Sequence, residues 1–300
     1  MKILLTGANG FIGSAFWKLA MGRGHEVAGL IRPSHSPGIS EIAGKTPEWL
    51  VGTLENPPWD QIRKFKPDVC VHAAWITTPG IYLESPENER FRDASVSFLR
   101  RVNELGTDYL VGLGTCIEYE ITGSRLSEQE TPLQPTTLYA RCKNELRIAL
   151  EAEASEKYDF CWGRVFYPYG PGEHPARLCS SLFARLSRNE KVVLKTPASR
   201  KDYIFIKDLA AAILCTVERR FTGAINWGTG TGISVRQIAD AIADRVGRRE
   251  LVTEAEEQNP DPLDFVVADA TRLRSLGWQP EFSLATGVAE FSQNPDFSKA

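Results

Sequence analysis

Met1-Lys-Ile-Leu-Leu-Thr-Gly-Ala-Asn-Gly-Phe-Ile-Gly13 opens the chain. Ile3 to Leu5 form a short apolar run, and it leads into glycines at Gly7, Gly10 and Gly13. A strand followed by this spacing predicts a tight turn into a helix. Its glycines let the backbone bend sharply and let a pyrophosphate approach amide N–H groups at the helix's positive end. A second motif, Tyr139-Ala-Arg-Cys-Lys143, stands farther along. Side chains at i and i+4 share a helix face, so a phenol and an ammonium can act on one substrate. Neither motif is specific alone; their order and separation make the pair informative.

Strand-like runs recur at Ile3–Leu5, Glu26–Ile31, Trp49–Val51, Val69–His72, Tyr109–Gly112 and Phe160–Val165. Helical patterns lie between them, clearest at Ser95–Leu105 and Leu138–Glu156. This alternation predicts a doubly wound parallel sheet, α/β in class, with helices on both faces. After Arg164, Pro168, Gly170, Pro171, Gly172 and Pro175 break the regularity, and a helix from about Arg177 to Arg188 follows. Residues 1–170, with 201–222 returning, are expected to form the nucleotide domain. Residues 171–200 and 223–292 are expected to build a smaller lobe over the sheet's carboxyl ends, where open α/β sheets bind ligands. Asn294 to Ala300 read as a frayed tail.

Composition narrows the function. The net charge of −3 gives no overall basic field for nucleic acid or an anionic membrane. The six cysteines show no Cys-x-x-Cys pair and no disulfide framework, and Cys70 and Cys161 read as small core residues. His25, His35 and His72 form no metal-ligand pattern, so no metal is expected. The first strand starts at Lys2, which leaves no room for a signal peptide, and the apolar run Leu209–Val217 is too short to span a bilayer. We therefore expect a soluble, reduced, cytoplasmic protein.

Further motifs appear in order: His72-Ala-Ala74, Gly114-Thr115, Arg164-Val-Phe-Tyr-Pro-Tyr-Gly-Pro-Gly172, Lys201-Asp-Tyr-Ile-Phe-Ile-Lys-Asp208, Asn226-Trp-Gly-Thr-Gly230 and Leu276-Gly-Trp-Gln-Pro280. With the two motifs above, they make the chain resemble the extended short-chain dehydrogenase/reductases, the nucleotide-sugar epimerase/dehydratase group, over nearly its whole length. The resemblance implies a Rossmann-type sheet with a C-terminal substrate lobe. It also implies a catalytic set of Thr115, Tyr139 and Lys143. For the cofactor it implies Gly7, Asn9, Gly10, Phe11, Ile12, Gly13, Arg32, Thr53, Leu54, His72, Ala73, Ala74, Tyr139, Lys143 and Tyr167. On the substrate side it implies Trp75, Thr115, Cys116, Arg177, Arg200 and Lys201, and it implies a homodimer formed through helices near 86–105 and 136–156.

Departures from the family pattern carry the finer reading. NAD-using members end the second strand with an acid that holds the ribose hydroxyls; here Arg32 follows Val27–Ile31. A guanidinium pairs with a 2′-phosphate, so NADP(H) is preferred, with NAD(H) the alternative. Thr53 replaces the Asp that usually touches adenine. A phenol titrates near pH ~10, so Tyr139 needs positive neighbours, and Lys143 is expected to be one. Dehydratase members carry acids after the Thr, where this chain has Cys116 and Ile117. If the strand continues, Glu118 points to the opposite face. In the GDP-fucose-forming member a cysteine and a distant histidine share epimerisation. Registered on Tyr119, their places fall at Ile117 and Arg177, with His174 near, so Cys116 reads as a structural thiol. A second phosphate-binding arginine of the family is replaced by Asn259.

Thr, Tyr and Lys suffice for hydride transfer between a nicotinamide and a carbinol or ketone. The leading expectation is an NADPH-dependent reductase acting on a keto group, at C4, of a nucleotide-activated deoxy sugar. The runner-up is a nucleotide-sugar epimerase with tightly bound NAD. The third is a non-catalytic dinucleotide-sensing protein.

Overall fold

The computed structural model describes residues 1–33, 48–154, 156–256 and 260–293. His35, Asn259 and the tail from Asn294 lie outside them. The first half alternates as expected: β1 (Lys2–Thr6), α1 (Phe11–Gly22), β2 (Glu26–Ile31), β3 (Glu48–Val51), α2 (Trp59–Phe65), β4 (Val69–His72), α3 (Glu87–Glu104), β5 (Tyr109–Thr115), α4 (Leu138–Glu151) and β6 (Asp159–Val165). Then come β7 (Tyr167–Tyr169), α5 (Leu178–Ser187), β8 (Val192–Leu194), β9 (Arg200–Lys201), β10 (Tyr203–Phe205), α6 (Ile206–Glu218) and β11 (Gly223–Trp227). The chain continues through β12 (Ile233–Ser234), α7 (Val235–Val246), β13 (Val252–Glu254), β14 (Phe265–Val266), α8 (Thr271–Ser275) and α9 (Leu284–Phe291).

Among the described residues, seven strands form one sheet in the order β11-β6-β5-β4-β1-β2-β3, all parallel. Side-chain alternation sorts it into two layers. Ile3, Leu5, Val69, Val71 and Val111 face α1 and α6, packing with Phe16, Trp17, Leu209 and Ile213. Leu4, Cys70, Leu110 and Phe160 face α3 and α4, packing with Phe98, Leu99, Leu146 and Leu150. Phe98, Leu99 and Leu146 are thus spent on the chain's own core. Burying each such side chain contributes about 1.5–3 kcal/mol.

Three boundaries differ from those the sequence predicts. Gly223–Trp227, assigned above to the smaller lobe, is an edge strand of the central sheet and pairs with β6 from Gly223↔Cys161 to Trp227↔Val165. Pairing with a distant strand leaves no local signal. Helix α3 starts at Glu87, close to where the resemblance places it but ahead of the periodic run that begins at Ser95, because its first turns are held by polar contacts, with Asn88 fully buried and Arg90 paired to Glu87. Helix α4 ends at Glu151, where the Tyr158 hydroxyl donates to the last-turn carbonyl of Leu150 at 2.8 Å. Among the described residues no helix is long and apolar enough to cross a membrane.

Candidate functional site

The cleft lies over the carboxyl ends of the strands and encloses about 1410 Å³. One half is built from backbone. β1 ends at Thr6, and Gly7 turns the chain at φ +67°, where a Cβ would sit 2.9 Å from the backbone of Ala73 and Ala74. A Cβ on Gly13 would lie 2.1 Å from the Gly7 carbonyl oxygen, so only glycine lets α1 start this close to β1. No side chain caps α1 and its first turn holds no acid. Its N–H groups and positive dipole end therefore remain for an anion. Gly10, Phe11, Ile12 and Gly13 line the cleft there, with Asn9, Ala73 and Ala74 beside them. These features fit the pyrophosphate of a dinucleotide.

Arg32, Thr53 and Leu54 line the same end from the tips of β2 and β3. Thr53 accepts the Asn56 N–H at 3.1 Å, which closes a turn beside them. His72 corrects the expected contact set, because it is fully buried and does not line the cleft. Its ring bridges Thr6 Oγ1 and Ser95 Oγ, each at 2.9 Å, and Thr6 Oγ1 accepts the Ala74 N–H at 3.1 Å. Burial first, and then the Lys143 charge, push the imidazole down to about 3, so it braces the cleft wall as a neutral ring.

The expected catalytic set comes together in the middle of the cleft. Thr115 is the last residue of β5, while Tyr139 and Lys143 share one buried face of α4. Thr137 caps that helix, accepting the Ala140 N–H at 3.2 Å. The Tyr139 N–H donates to the Leu83 carbonyl at 2.9 Å. Lys143 Nζ donates to the Leu113 carbonyl at 2.7 Å and lies 5.9 Å from the Tyr139 ring centroid. Burial, with Tyr82, Glu118 and Cys116, raises the phenol, and Arg177 lowers it. The lysine's own ammonium is pushed down to about 7 by burial, with Glu118 pushing back. Half-buried Tyr167 lines the cleft as expected.

Residues after Thr115 do not continue as a strand. Cys116–Glu118 form one turn of 3₁₀ helix, which carries Glu118 inward. Its carboxylate accepts the Thr115 N–H at 2.8 Å and the Trp162 indole N–H at 3.0 Å, and pairs with Arg164 at 2.8 Å. Both charges are almost fully buried, and Arg164 also donates to the Tyr119 hydroxyl at 3.0 Å. Nothing in the sequence signals this pairing, because the two residues are 46 positions apart. Glu118 is therefore spent on structure. Ile117 lines the cleft beside Cys116, whose thiol is pushed up to about 12 by burial together with Asp202 and Glu118.

At the substrate end, Arg177 lines the cleft with its guanidinium 5.2 Å from the Tyr82 ring centroid. Lys201 lines it too, but its ammonium pairs with Asp261 at 2.9 Å, and Asp261 also accepts the Ser199 hydroxyl at 2.6 Å. Arg200 is a correction. Alternation along β9 turns it outward; it is exposed and does not line the cleft. Trp75 lines the cleft, and its indole N–H donates to Asn88 at 2.8 Å. His174 is exposed and accepts the Ala176 N–H at 3.1 Å. Glu173 belongs to no motif and is not foreseen from the sequence. It lines the cleft near Arg177, accepts from Ser180 Oγ at 3.1 Å, and is raised to about 7 by burial.

A parallel doubly wound sheet with its glycine turn and bare helix N-terminus opening into one cleft defines a dinucleotide-binding α/β enzyme class. The model of the NAD dependent epimerase/dehydratase family matches residues 3–228. The chain belongs to that family, NAD-dependent enzymes of the extended short-chain dehydrogenase/reductase type. It is 28% identical to a UDP-glucose 4-epimerase of Mycolicibacterium smegmatis over 98% of this chain and 99% of that one. Among solved structures, it resembles the UDP-glucose 4-epimerase of Thermus thermophilus in complex with NAD, with TM-score 0.82 and 24% identity over 98% and 99% of the two chains. It is as similar in shape to the dTDP-glucose 4,6-dehydratase of Bacillus anthracis in complex with NAD, with TM-score 0.83 and 20% identity over 99% and 98%. Shape therefore does not separate epimerisation from dehydration.

Proposed function

We propose that this chain reduces a keto group, at C4, of a nucleotide-activated deoxy sugar with NADPH. The observation that carries the reading is Arg32. It lines the cleft at the end of β2, where an acid would hold the ribose hydroxyls of NAD. Tyr139 delivers the proton to the carbonyl oxygen, Thr115 holds that oxygen, and Lys143 holds the cofactor ribose. A nicotinamide bound in the cleft would supply the hydride. Elimination needs a base at carbon just after Thr115, and the residues there are a raised thiol and an isoleucine. Glu118, the nearest carboxylate in sequence, is committed to Arg164. Arg177 and Lys201 are the cations for the substrate's pyrophosphate, with Lys201 first having to release Asp261.

A second reading is supported by the relatives named UDP-glucose 4-epimerase, which align over 97% and 98% of the chain. An epimerase would keep NAD bound and return hydride to the opposite face. Two assays separate the readings. NADPH absorbance followed with a 4-keto-6-deoxy nucleotide sugar should fall with turnover, and UDP-glucose incubated without added nucleotide should stay unchanged. Retained NAD together with UDP-galactose formation would replace the reductase with the epimerase.

We also propose a homodimer through α3 and α4, with exposed Ile148 in the seam. Sedimentation as a single ~33 kDa species at micromolar concentration would refute it.

A further inference from the structure

Lys143 is caught between two demands. Deep burial disfavours its charge, yet the proposed chemistry needs an ammonium at this position. Its 2.7 Å hydrogen bond to the Leu113 carbonyl uses one of three N–H donors. A second contact is aromatic, since Nζ lies 3.9 Å from the Trp75 ring centroid. Charge over an indole face is attracted by the ring quadrupole, most strongly where water is excluded.

Trp75 is itself held. Its indole N–H donates to Asn88 Oδ1 at 2.8 Å, and fully buried Asn88 uses its amide to donate to the carbonyls of Tyr82 at 2.6 Å and Ser85 at 2.8 Å. Tyr82 in turn packs edge-on against Tyr139, with ring centroids 4.9 Å apart. Neighbouring Leu83 accepts the Tyr139 N–H. A single buried amide thus ties together the loop that touches both ends of the Tyr139–Lys143 pair.

Resting on the reading that Lys143 serves the Tyr139 site, we propose that Trp75 is a positioning residue that keeps the Lys143 ammonium charged, and that Asn88 holds Trp75 and Tyr82 in place to do so. Among the described residues, only Glu118 of the titratable groups near the lysine works in the same direction. Glu118 raises it but is shared with Arg164, His72 is neutral, and Tyr139 is a protonated phenol. Burial pushes the lysine down to about 7, and an indole face 3.9 Å from Nζ favours the charged form against that push.

The test reads the lysine directly. In full-length protein with ¹³C at lysine Cε, the Lys143 resonance, assigned by its loss in Lys143→Arg, is titrated in the absence of substrate. Trp75→Leu should lower the midpoint by about one pH unit, the size of a desolvated cation–π contact. Trp75→Phe should restore at least half of the shift. Asn88→Ser, which frees the indole but keeps it, should give a smaller shift in the same direction. The high-pH limit of NADPH binding, read by fluorescence, should move down in parallel. An unchanged midpoint in Trp75→Leu, or equal shifts for the Leu and Phe variants, overturns the proposal. If Trp75→Leu does not fold, an unchanged midpoint in Asn88→Ser overturns it instead. Because no substrate is present, a failed ketone assay leaves this result standing.

Discussion

The two halves of the cleft are built from different materials. Toward β1 the walls are backbone, with a glycine turn, a bare helix end and no side-chain cap. Toward the C-terminal segments the walls are side chains already engaged with one another: Lys201 with Asp261, Arg177 with Tyr82, and Glu173 with Ser180. At Gly7 and Gly13 the backbone site tolerates almost no substitution, because a Cβ there collides with main chain. A side-chain site can change partners one residue at a time. The residues proposed for the chemistry, Thr115, Tyr139 and Lys143, line the cleft where the halves meet.

The largest expected effect falls at that meeting point. Tyr139→Phe should lower turnover by roughly 10²–10⁴-fold while NADPH affinity stays nearly unchanged, measured by steady-state kinetics and fluorescence titration. Full activity in this variant would separate the chemistry from the proposed acid.

Next comes the backbone half. Gly13→Ala places a methyl 2.1 Å from the Gly7 carbonyl, so α1 must move. Overpacking of this kind costs about 1–3 kcal/mol, and the denaturation midpoint should drop together with NADPH affinity. Normal affinity and stability would mean that the turn is not the rigid part of the site.

Arg32→Asp is expected to act on choice rather than on binding as a whole. The parent should prefer NADPH over NADH by about tenfold or more, since one charge-assisted contact is worth on the order of 1.5–3 kcal/mol. The variant should reverse the preference. Equal dissociation constants in the parent would remove Arg32 from the cofactor reading.

The smallest effect belongs to the side-chain half. Glu173 is raised by burial from 4.5 to about 7, so between those values the native state holds a proton that the unfolded chain lacks. Stability from this group therefore declines as pH rises from about 4.5 to about 7. Above that range an ionised carboxylate beside Arg177 opposes an anionic substrate. Glu173→Gln should flatten both the stability profile and the pH dependence of nucleotide-sugar affinity. An identical pH dependence in the variant would assign the titration to another group.

Much of the cofactor half is legible in the amino-acid order alone, and for a physical reason. Hydrophobic alternation, glycine spacing and the i, i+4 pair are local properties that backbone geometry converts into strand, turn and helix face. Tyr139 and Lys143 need only a helix to share a face, and Thr115 needs only the end of β5. The lateral position of β11 is not legible, because strand order depends on partners far away in sequence. Nor is the fate of the charges. Arg200 and Lys201 are adjacent, yet one faces solvent and the other meets an acid 60 residues on. Glu118 stands one step past the place of a family acid, and a 3₁₀ turn carries it to Arg164. Trp75 lines the cleft, but its ring contact with Lys143 and its hydrogen bond to Asn88 leave no trace in the sequence. Sequence determined which groups this protein owns and the period on which they repeat. Tertiary structure alone decided which remain free to act, because burial and pairing are set by whatever neighbours the fold delivers.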